Sequence, residues 1–309
     1  MQFTRRHRAA ILATTAVAVA TSVSATLLNE GPATAMPSGS ASTLSAGDRA
    51  PGKPVPGTPD PGKDGVGIAP GEPDPNGDGA EAAGYPTAAQ RYRWGKPIAR
   101  DEFTGRRLNL RDWSPENANS EHGKRRPSAI TVRNGVMKIT GRRDGTTGAV
   151  GWRRGARKWG RWEARIRLNR ACACYNANLL LWPATGKPWD GGGEVDWMET
   201  YGESGLRKWT SFYLHYGRGQ RPRTIQNRVY RDLTKWHTFA VQWNAHSMTG
   251  YVDGKVWFHS KNRQALPPRA MGQSIQLDFF PQLRPRTSRA VKRWFPATLE
   301  VDWIRMYRP

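Results

Sequence analysis

The sequence predicts an all-β domain, built as a sandwich of two antiparallel sheets, in the C-terminal part of the chain. Short runs of alternating apolar and charged residues recur there, and turn dipeptides separate them. No window shows a convincing long amphipathic helix. The 14 tryptophans begin only at Trp94, so the residues that can build a large core are confined to this part. We therefore expect the fold to begin near Trp94.

The strand pattern is clearest at 161–168, where apolar and charged residues alternate. Such alternation is typical of a strand with one buried face. The dipeptides Asn134-Gly135 and Asp253-Gly254 predict two tight hairpins, because both turn positions must tolerate a positive φ. Further strands are expected at 238–243, 274–280 and 299–307. Many short strands over about 220 residues indicate a jelly roll.

Residues 1–35 are interpreted as an export signal. Arg5, Arg6 and Arg8 precede a mostly apolar run from residue 9 to residue 19. Small residues spaced for signal cleavage follow at 23–25 and 33–35. The arginine pair leaves the general secretory and the twin-arginine routes both open. We therefore expect a secreted, extracellular protein.

Residues 36–88 are interpreted as a Pro/Gly-rich, disordered linker. Within 37–86 there are 10 prolines and 11 glycines, a composition that neither holds a helix nor packs a core. The folded domain is therefore predicted to span 89–309.

The charge of the chain is concentrated in this domain. Residues 86–309 hold 42 basic and 17 acidic residues, a net charge of +25. Such a domain attracts polyanions, including nucleic acid, anionic cell-wall polymers and sulfated polysaccharides. The basic residues are spread along strands and loops, without a helical basic region or zinc-finger spacing. We therefore expect a solvated basic surface, suited to an anionic cell wall, rather than a dedicated nucleic-acid site.

The chain has two cysteines, Cys172 and Cys174, which exclude a disulfide-rich scaffold and a multi-cysteine metal site. On a strand their Cα atoms would lie just under about 7 Å apart, at the limit for a disulfide, and a turn would bring them closer. Export favours a bridge, since the extracellular setting is oxidising, and two free thiols are the alternative. We expect no metal and no cofactor.

Three carboxylates stand close together in the segment 194–199, Glu-Val-Asp-Trp-Met-Glu. On an undistorted strand Glu194 and Asp196 share a face and Glu199 points away. A β-bulge at Met198 would return Glu199 to the face of the other two acids. Like charges this close raise at least one pKa, which lets one carboxyl act as an acid and another as an ionised nucleophile.

Glu194 and Glu199 have the carboxyl separation of a retaining glycosidase only if the strand curves. Four strand positions span about 13 Å of backbone. The carboxyl groups of a retaining glycosidase lie about 5–5.5 Å apart. A concave sheet with inward-leaning side chains closes this gap.

The acidic segment resembles the bulged Glu-x-Asp-x-x-Glu signature of glycoside hydrolase family 16. The resemblance extends over most of 90–309 through the segments 160–165, 181–183, 188–189, 236–243, 251–255 and 301–307. It implies a concanavalin-like β-jelly roll with a concave substrate cleft. It also implies that Glu194 is the nucleophile, that Glu199 is the acid/base and that Asp196 holds and tunes them.

Four further residues are assigned to the cleft through this resemblance. Trp182, Trp189 and Trp243 lie in segments similar to the family's cleft, and flat aromatic rings suit the apolar faces of sugars. Core packing is the alternative for each of them. His215 resembles a cleft position that follows the catalytic strand, with a structural role as its alternative.

The resemblance implies a retaining endo-glycosidase that hydrolyses a β-glucan, with β-1,3 linkages as in bacterial endo-β-1,3-glucanases (laminarinases). We expect this enzyme to be secreted, because of the export signal, and to be a monomer. Three alternatives stay open. A non-catalytic lectin-like module would bind a polysaccharide or the cell wall without cutting it. A transglycosylase would use the same acids with a sugar acceptor, and a sulfated-galactan hydrolase would make use of the positive charge.

Overall fold

The structure is a computed structural model that describes residues 86–185, 188, 190–218, 223–284 and 294–309. The interpreted export signal and the linker up to residue 85 lie outside the described residues. Within these ranges, none of the helices has the length and apolar character that a membrane span requires.

The described residues form one short helix, α1 (Ala88–Arg91), and seventeen strands in two sheets, numbered in chain order. The sheet we call the back sheet contains β1 (Ala99–Asp101), β5 (Ile130–Arg133), β6 (Val136–Gly141), β8 (Gly160–Leu168), β13 (His237–Trp243), β14 (Met248–Val252), β15 (Lys255–Ser260) and β17 (Ala297–Tyr307). The sheet we call the site sheet contains β2 (Trp113–Pro115), β3 (Ala118–Ser120), β4 (Gly123–Arg125), β7 (Thr146–Trp152), β9 (Tyr175–Pro183), β10 (Glu194–Glu199), β11 (Trp209–Tyr216), β12 (Arg223–Tyr230) and β16 (Met271–Phe279). Two 3₁₀ turns lie at Pro127–Ala129 and Pro281–Leu283.

The strand order confirms the predicted sandwich. The back sheet runs β15-β14-β13-β8-β17-β6-β5, with β1 on β17. The site sheet runs β12-β11-β10-β9-β16-β7-β4-β3, with β2 on β7. The pairing is antiparallel except between β4 and β7. Neighbours far apart in sequence, such as β9 and β16, are joined by long crossovers, as in a jelly roll.

Both predicted hairpins are present, and their turns use the expected backbone. Asn134 and Gly135 have φ values of 53° and 76° between β5 and β6. Asp253 and Gly254 have φ values of 49° and 69° between β14 and β15. Two successive positive φ values define the turn whose twist matches the flanking strands.

The core lies between the sheets, and the alternation of 161–168 accounts for one side of it. Trp162, Ile166 and Leu168 of β8 are buried there. Their charged neighbours face outward, but Glu163 is fully buried, against the expectation for an exposed face. The reason is α1, which covers this position: the backbone N–H groups of Ala88 and Ala89 donate to Glu163 Oε1 at 2.6 and 3.3 Å.

The N-terminal segment is part of the packed domain. Thr87 caps α1 through a capping box with Gln90. Ala88 is fully buried in a small cluster on the outer side of the back sheet, with Trp94, Ala240, Tyr251 and Tyr307. The packed chain therefore includes Thr87 and Ala88, so the predicted linker, 36–88, extends two residues too far.

Cys172 and Cys174 form a disulfide in the turn between β8 and β9. Their Cα atoms are 5.0 Å apart, closer than an extended strand would hold them. The backbone N–H of Tyr175 donates to the carbonyl of Cys172 at 3.0 Å and closes this turn. Both sulfur-bearing residues are buried in the core.

Candidate active site

The acidic strand β10 carries the predicted bulge. Against β11, Asp196 pairs with Tyr213 and Glu199 pairs with Ser211. Three steps along β10 therefore correspond to two steps along β11. One extra residue shifts the alternation by one position, so Glu199 returns to the face of Asp196.

The other neighbour of β10 locates the extra residue. Against β9, Asp196 pairs with Leu180 and Met198 pairs with Leu179, so Trp197 is the residue without a partner. The sequence predicts Met198 as the bulge residue, and this prediction is wrong by one position. The side chains of Trp197 and Met198 are both fully buried in the core. Because the bulge buries two large residues, it fixes the alternation that places Glu199 on the face of Asp196.

The three carboxylates lie on the side of the site sheet that faces away from the core. Asp196 is only 2% exposed, and Glu194 and Glu199 are half-buried. Besides burial, the charge of Asp196 acts on the neighbouring carboxyl group of Glu194 and helps to raise its pKa. The structure therefore brings together the three acids that the sequence singled out.

Two buried asparagines of β9 hold two of these acids. Asn178 Nδ2 donates to Asp196 Oδ1 at 2.8 Å. Asn176 Nδ2 donates to Glu199 Oε1 at 2.6 Å. The residues stand two apart on one strand, so one face of β9 serves both carboxylates.

His215 lies beside Asp196, and its contact with a substrate stays a prediction. It pairs with Glu194 across β10 and β11, and its Nε2 is 3.2 Å from Asp196 Oδ2. Its Nδ1 is 2.8 Å from the Thr224 hydroxyl, which fixes the ring from the other side. Asp196 is therefore held between an amide and an imidazole. Among the described residues, no group of three or more His, Cys, Asp or Glu is arranged to hold a metal ion.

The electrostatics of the site favour retention of one proton by the pair Glu194 and Glu199. Burial raises the pKa of Glu194 well above its usual range, and the charges of Asp196 and Glu199 add to this. Burial also raises the pKa of Glu199, repulsion from Asp196 adds to it, and the Asn176 hydrogen bond opposes it. Groups that repel one another in this way titrate together, so the cluster keeps a proton at a pH where an isolated glutamate is ionised.

A buried arginine on β4, three strands from β9 in the site sheet, binds a carboxylate next to the acidic cluster. Arg125 is 1% exposed, and its Nη2 donates to Asp278 Oδ1 at 2.6 Å and to Gln276 Oε1 at 2.9 Å. Its Nη1 pairs with Glu116. Asp278 is opposite Asn176 on the neighbouring strand, so this cation balances a carboxylate beside the acidic cluster.

The sequence predicts that Trp182, Trp189 and Trp243 line the cleft, and the structure bears differently on each of them. Trp182 is half-buried on β9, and strand alternation places it on the face of Asn176 and Asn178. Its contact with sugar stays a prediction. Trp189 lies outside the described residues.

The assignment of Trp243 to the cleft is wrong. This residue belongs to β13 of the back sheet and is fully buried in the core. Phe239, Val241 and Trp243 are alternate residues of β13 that all face the core. A ring with no exposed face cannot stack on a sugar.

Further polar and aromatic groups of the site were not found from the sequence. Burial raises the pKa of Tyr213, which pairs with Asp196 across β10 and β11. Trp209 lies on the same strand, with the guanidinium of Arg228 stacked on its ring. Asn176 and Asn178 left a signal, because they are polar residues two apart in an otherwise apolar strand. Arg125 and Asp278 left none, since 152 residues separate them.

Comparisons with known proteins agree with this architecture. The family model described as glycosyl hydrolases family 16 matches residues 117–305. No protein with a curated description matches the sequence.

Among solved structures, LamA_E269S of Zobellia galactanivorans, in complex with laminaritriose and laminaritetraose, is 17% identical with a TM-score of 0.60, covering 69% of this chain and 99% of that chain. The endo-β-1,3-glucanase of Pyrococcus furiosus is 20% identical with a TM-score of 0.59, covering 69% and 94%. A structure from work on endo-acting O-glycanases of the human gut microbiota is 16% identical with a TM-score of 0.59, covering 69% and 90%. At these identities the likeness shows the fold.

Proposed function

The chain belongs to glycosyl hydrolases family 16, and from this premise we propose that it is a retaining endo-glycosidase that cleaves β-1,3 bonds of a β-glucan. The observation that carries the proposal is the bulge in β10, which places Glu199 on the face of Glu194 and Asp196. The solved structures add support for the substrate, because two of the similar proteins are an endo-β-1,3-glucanase and a protein bound to laminari-oligosaccharides.

The two glutamates divide the reaction between them. Glu194 attacks the anomeric carbon, while Glu199 donates its proton to the departing glycosidic oxygen. A covalent glycosyl-enzyme forms on Glu194. Glu199 then takes a proton from water, and the water oxygen displaces Glu194 from the sugar. Two inversions restore the β configuration.

Asp196 acts on the nucleophile rather than on the sugar. Asn178 and His215 hold it in place, and its negative charge helps to raise the pKa of the Glu194 carboxyl group. The raised pKa of Glu199, which follows from burial and from the charge of Asp196, suits a group that must carry a proton near neutral pH.

We further propose that the protein acts outside the cell. The export signal interpreted at residues 1–35 supports this, as does the nature of a polymeric substrate, which a cell meets at or beyond its surface.

The test is a panel of laminarin, lichenan, agarose and carrageenan, followed by measurement of new reducing ends. We expect activity on laminarin, with the first product in the β configuration by NMR. The matched control is Glu194→Gln, which keeps the shape of the side chain and removes the nucleophile. Activity confined to carrageenan would contradict the glucan assignment, and binding without cleavage would make the chain a lectin-like module.

A further inference from the structure

An arginine is held flat against an aromatic ring on the site sheet. The guanidinium carbon of Arg228, on the edge strand β12, lies 3.7 Å from the centroid of the Trp209 ring. The Arg228 side chain is exposed. Stacking restricts the guanidinium to one plane and leaves its in-plane N–H donors directed outward. Trp209 therefore fixes an outward-facing cation.

The position of this cation in the sheet places it beside the acid/base. Glu199 pairs with Ser211, and Ser211 pairs with Arg228 on the next strand. Two strand spacings separate the Cα atoms of Glu199 and Arg228 by about 10 Å. The next residue, Val229, is buried in the core, so Arg228 faces the same side of the sheet as the carboxylates. The charge of Arg228 also opposes the effect of burial on the pKa of Tyr213.

No carboxylate of the folded domain forms an ion pair with the Arg228 guanidinium. All 17 acidic residues of 86–309 are among the described residues, and none of them forms an ion pair with Arg228. On the back sheet, three arginines that stack on tryptophans also bind a carboxylate, whereas Arg161, which lies 5.3 Å from the Trp94 ring centroid, binds the Gln242 amide and the Arg308 carbonyl instead. The three ion pairs are Arg165 with Asp302, Arg167 with Glu300 and Arg305 with Glu102.

Aromatic surface continues past the same end of β10. Tyr201 is 45% exposed and packs against Phe280 with ring centroids 5.1 Å apart. Tyr230, which pairs with Trp209, is 40% exposed. Exposed rings of this kind offer flat apolar area to sugar rings. A polysaccharide lying on them brings its substituents to Arg228.

We propose that Arg228 binds an anionic group, a sulfate ester or a carboxylate, on a sugar unit beside Glu199, so that the substrate is a β-glucan carrying such groups. This inference rests on the proposed function and specifies its substrate class. A guanidinium pairs with either anion through two parallel hydrogen bonds. The net charge of +25 on 86–309 draws such a polymer to the domain.

The experiment compares laminarin with carboxymethylated laminarin and with sulfated laminarin, which share one backbone. The measured quantity is the ratio of kcat/KM on each anionic polymer to kcat/KM on laminarin. In Arg228→Gln we expect this ratio to fall by about ten-fold or more, the effect of losing a hydrogen bond to a charged group. Arg228→Lys should restore part of it, because lysine keeps the charge and lacks the planar fork.

The matched control is Arg133→Gln, which removes the same charge from an exposed position on β5 of the back sheet. It should leave the ratio unchanged. A ratio that stays at the wild-type value in Arg228→Gln overturns the inference. A ratio that falls equally in Arg133→Gln also overturns it, because net charge and not Arg228 would then be responsible. The two anionic polymers, assayed separately, distinguish the sulfate from the carboxylate.

A binding experiment distinguishes failure of this inference from failure of the proposed function. Carboxymethylated laminari-oligosaccharides are titrated calorimetrically into the Glu194→Gln chain, with and without Arg228→Gln. We expect the second substitution to weaken binding by about ten-fold. If the wild type cleaves none of the polymers but this binding depends on Arg228, the proposed function fails, and with it the substrate assignment, while the anion-binding role of Arg228 stands. If the wild type cleaves them and neither cleavage nor binding depends on Arg228, the inference fails alone.

Discussion

Asn176 donates a 2.6 Å hydrogen bond to one carboxyl oxygen of Glu199 and cannot rotate away from it. Its amide oxygen accepts from the hydroxyl of Thr200 at 3.0 Å, and that hydroxyl in turn accepts from the backbone N–H of Ala177 at 2.9 Å. The amide is thereby oriented with its NH₂ group toward Glu199. One oxygen of Glu199 is held as an acceptor, which leaves the other oxygen to carry the proton.

Asn176→Ala is expected to move the pH profile of the reaction. Burial and the charge of Asp196 raise the pKa of Glu199, and the Asn176 hydrogen bond opposes them by favouring the ionised form. Its removal raises this pKa further, so the limb at high pH, where the acid loses its proton, shifts to higher pH. The measurement is kcat/KM against pH. Thr200→Val serves as a control, because it removes the hydroxyl that orients the Asn176 amide and keeps the Asn176 N–H donor itself. A lower rate with an unshifted limb would contradict this role of Asn176.

Glu199→Gln is expected to slow cleavage of laminarin by about 10²–10⁴-fold, because both steps lose their proton donor or acceptor. A substrate with a good leaving group needs little protonation, so its first step should be largely spared. A covalent adduct should then accumulate on the peptide that contains Glu194, visible by mass spectrometry.

Glu194→Gln is the matched control for this experiment and should form no adduct with any substrate. An adduct on Glu199, or a first product of inverted configuration, would reverse the assignment of the two residues.

Glu163→Gln is expected to change how stability depends on pH. Burial raises the pKa of Glu163 to about 7, against the hydrogen bonds from Ala88 and Ala89. A pKa that is higher in the folded state means stability that is full below the unfolded pKa and is lost as pH rises through about 7. This loss amounts to as much as about 3 kcal/mol.

The glutamine variant keeps the acceptor oxygen and cannot ionise, so between pH 5 and about 8 its free energy of unfolding should fall less than that of the wild type. Urea denaturation at several pH values measures this. A chain shortened to begin at Gln90 loses both N–H donors and the cover over Glu163, and it should be less stable than one that begins at Pro86. Equal stability of the two chains would show that α1 does not contribute.

Arg125→Met is expected to destabilise the fold by about 3–5 kcal/mol, because it leaves buried carboxylates without their cation. Asp278 and Glu116 both pair with Arg125, and Asp278 is nearly buried. Adding Asp278→Asn should recover part of the loss, since one uncompensated charge is removed. Chemical denaturation of the single and double variants gives the coupling between the two positions. Additive effects would show that the ion pair contributes nothing of its own.

Local patterns in the sequence accounted for the strands and for the phase of the acidic segment. Alternation identified β8, and the positive-φ dipeptides identified both hairpins, because these signals depend only on near neighbours. The bulge followed from three acids that must share one face. Its position was misplaced by one residue, since both Trp197 and Met198 are apolar and the partner strand decides which of them is unpaired.

Contacts between distant segments were beyond the reach of such patterns. Trp243 was placed in the cleft by its surroundings in the sequence, but the inward face of β13 buries it. Glu163 was expected on an exposed face, and only the folding of α1 over β8 explains its burial. The stacking of Arg228 on Trp209 joins two strands that pair only in the folded sheet.

The attachment of α1 has a practical consequence for how the protein can be displayed. Ala88 packs on the outer side of the back sheet, whereas the carboxylates open on the outer side of the site sheet. The polypeptide thus enters the domain at the pole opposite the catalytic opening. A bead or a fused domain attached through residue 86 would therefore lie away from the carboxylates. A long polymer could bind across the site sheet without contacting the bead or the fused domain.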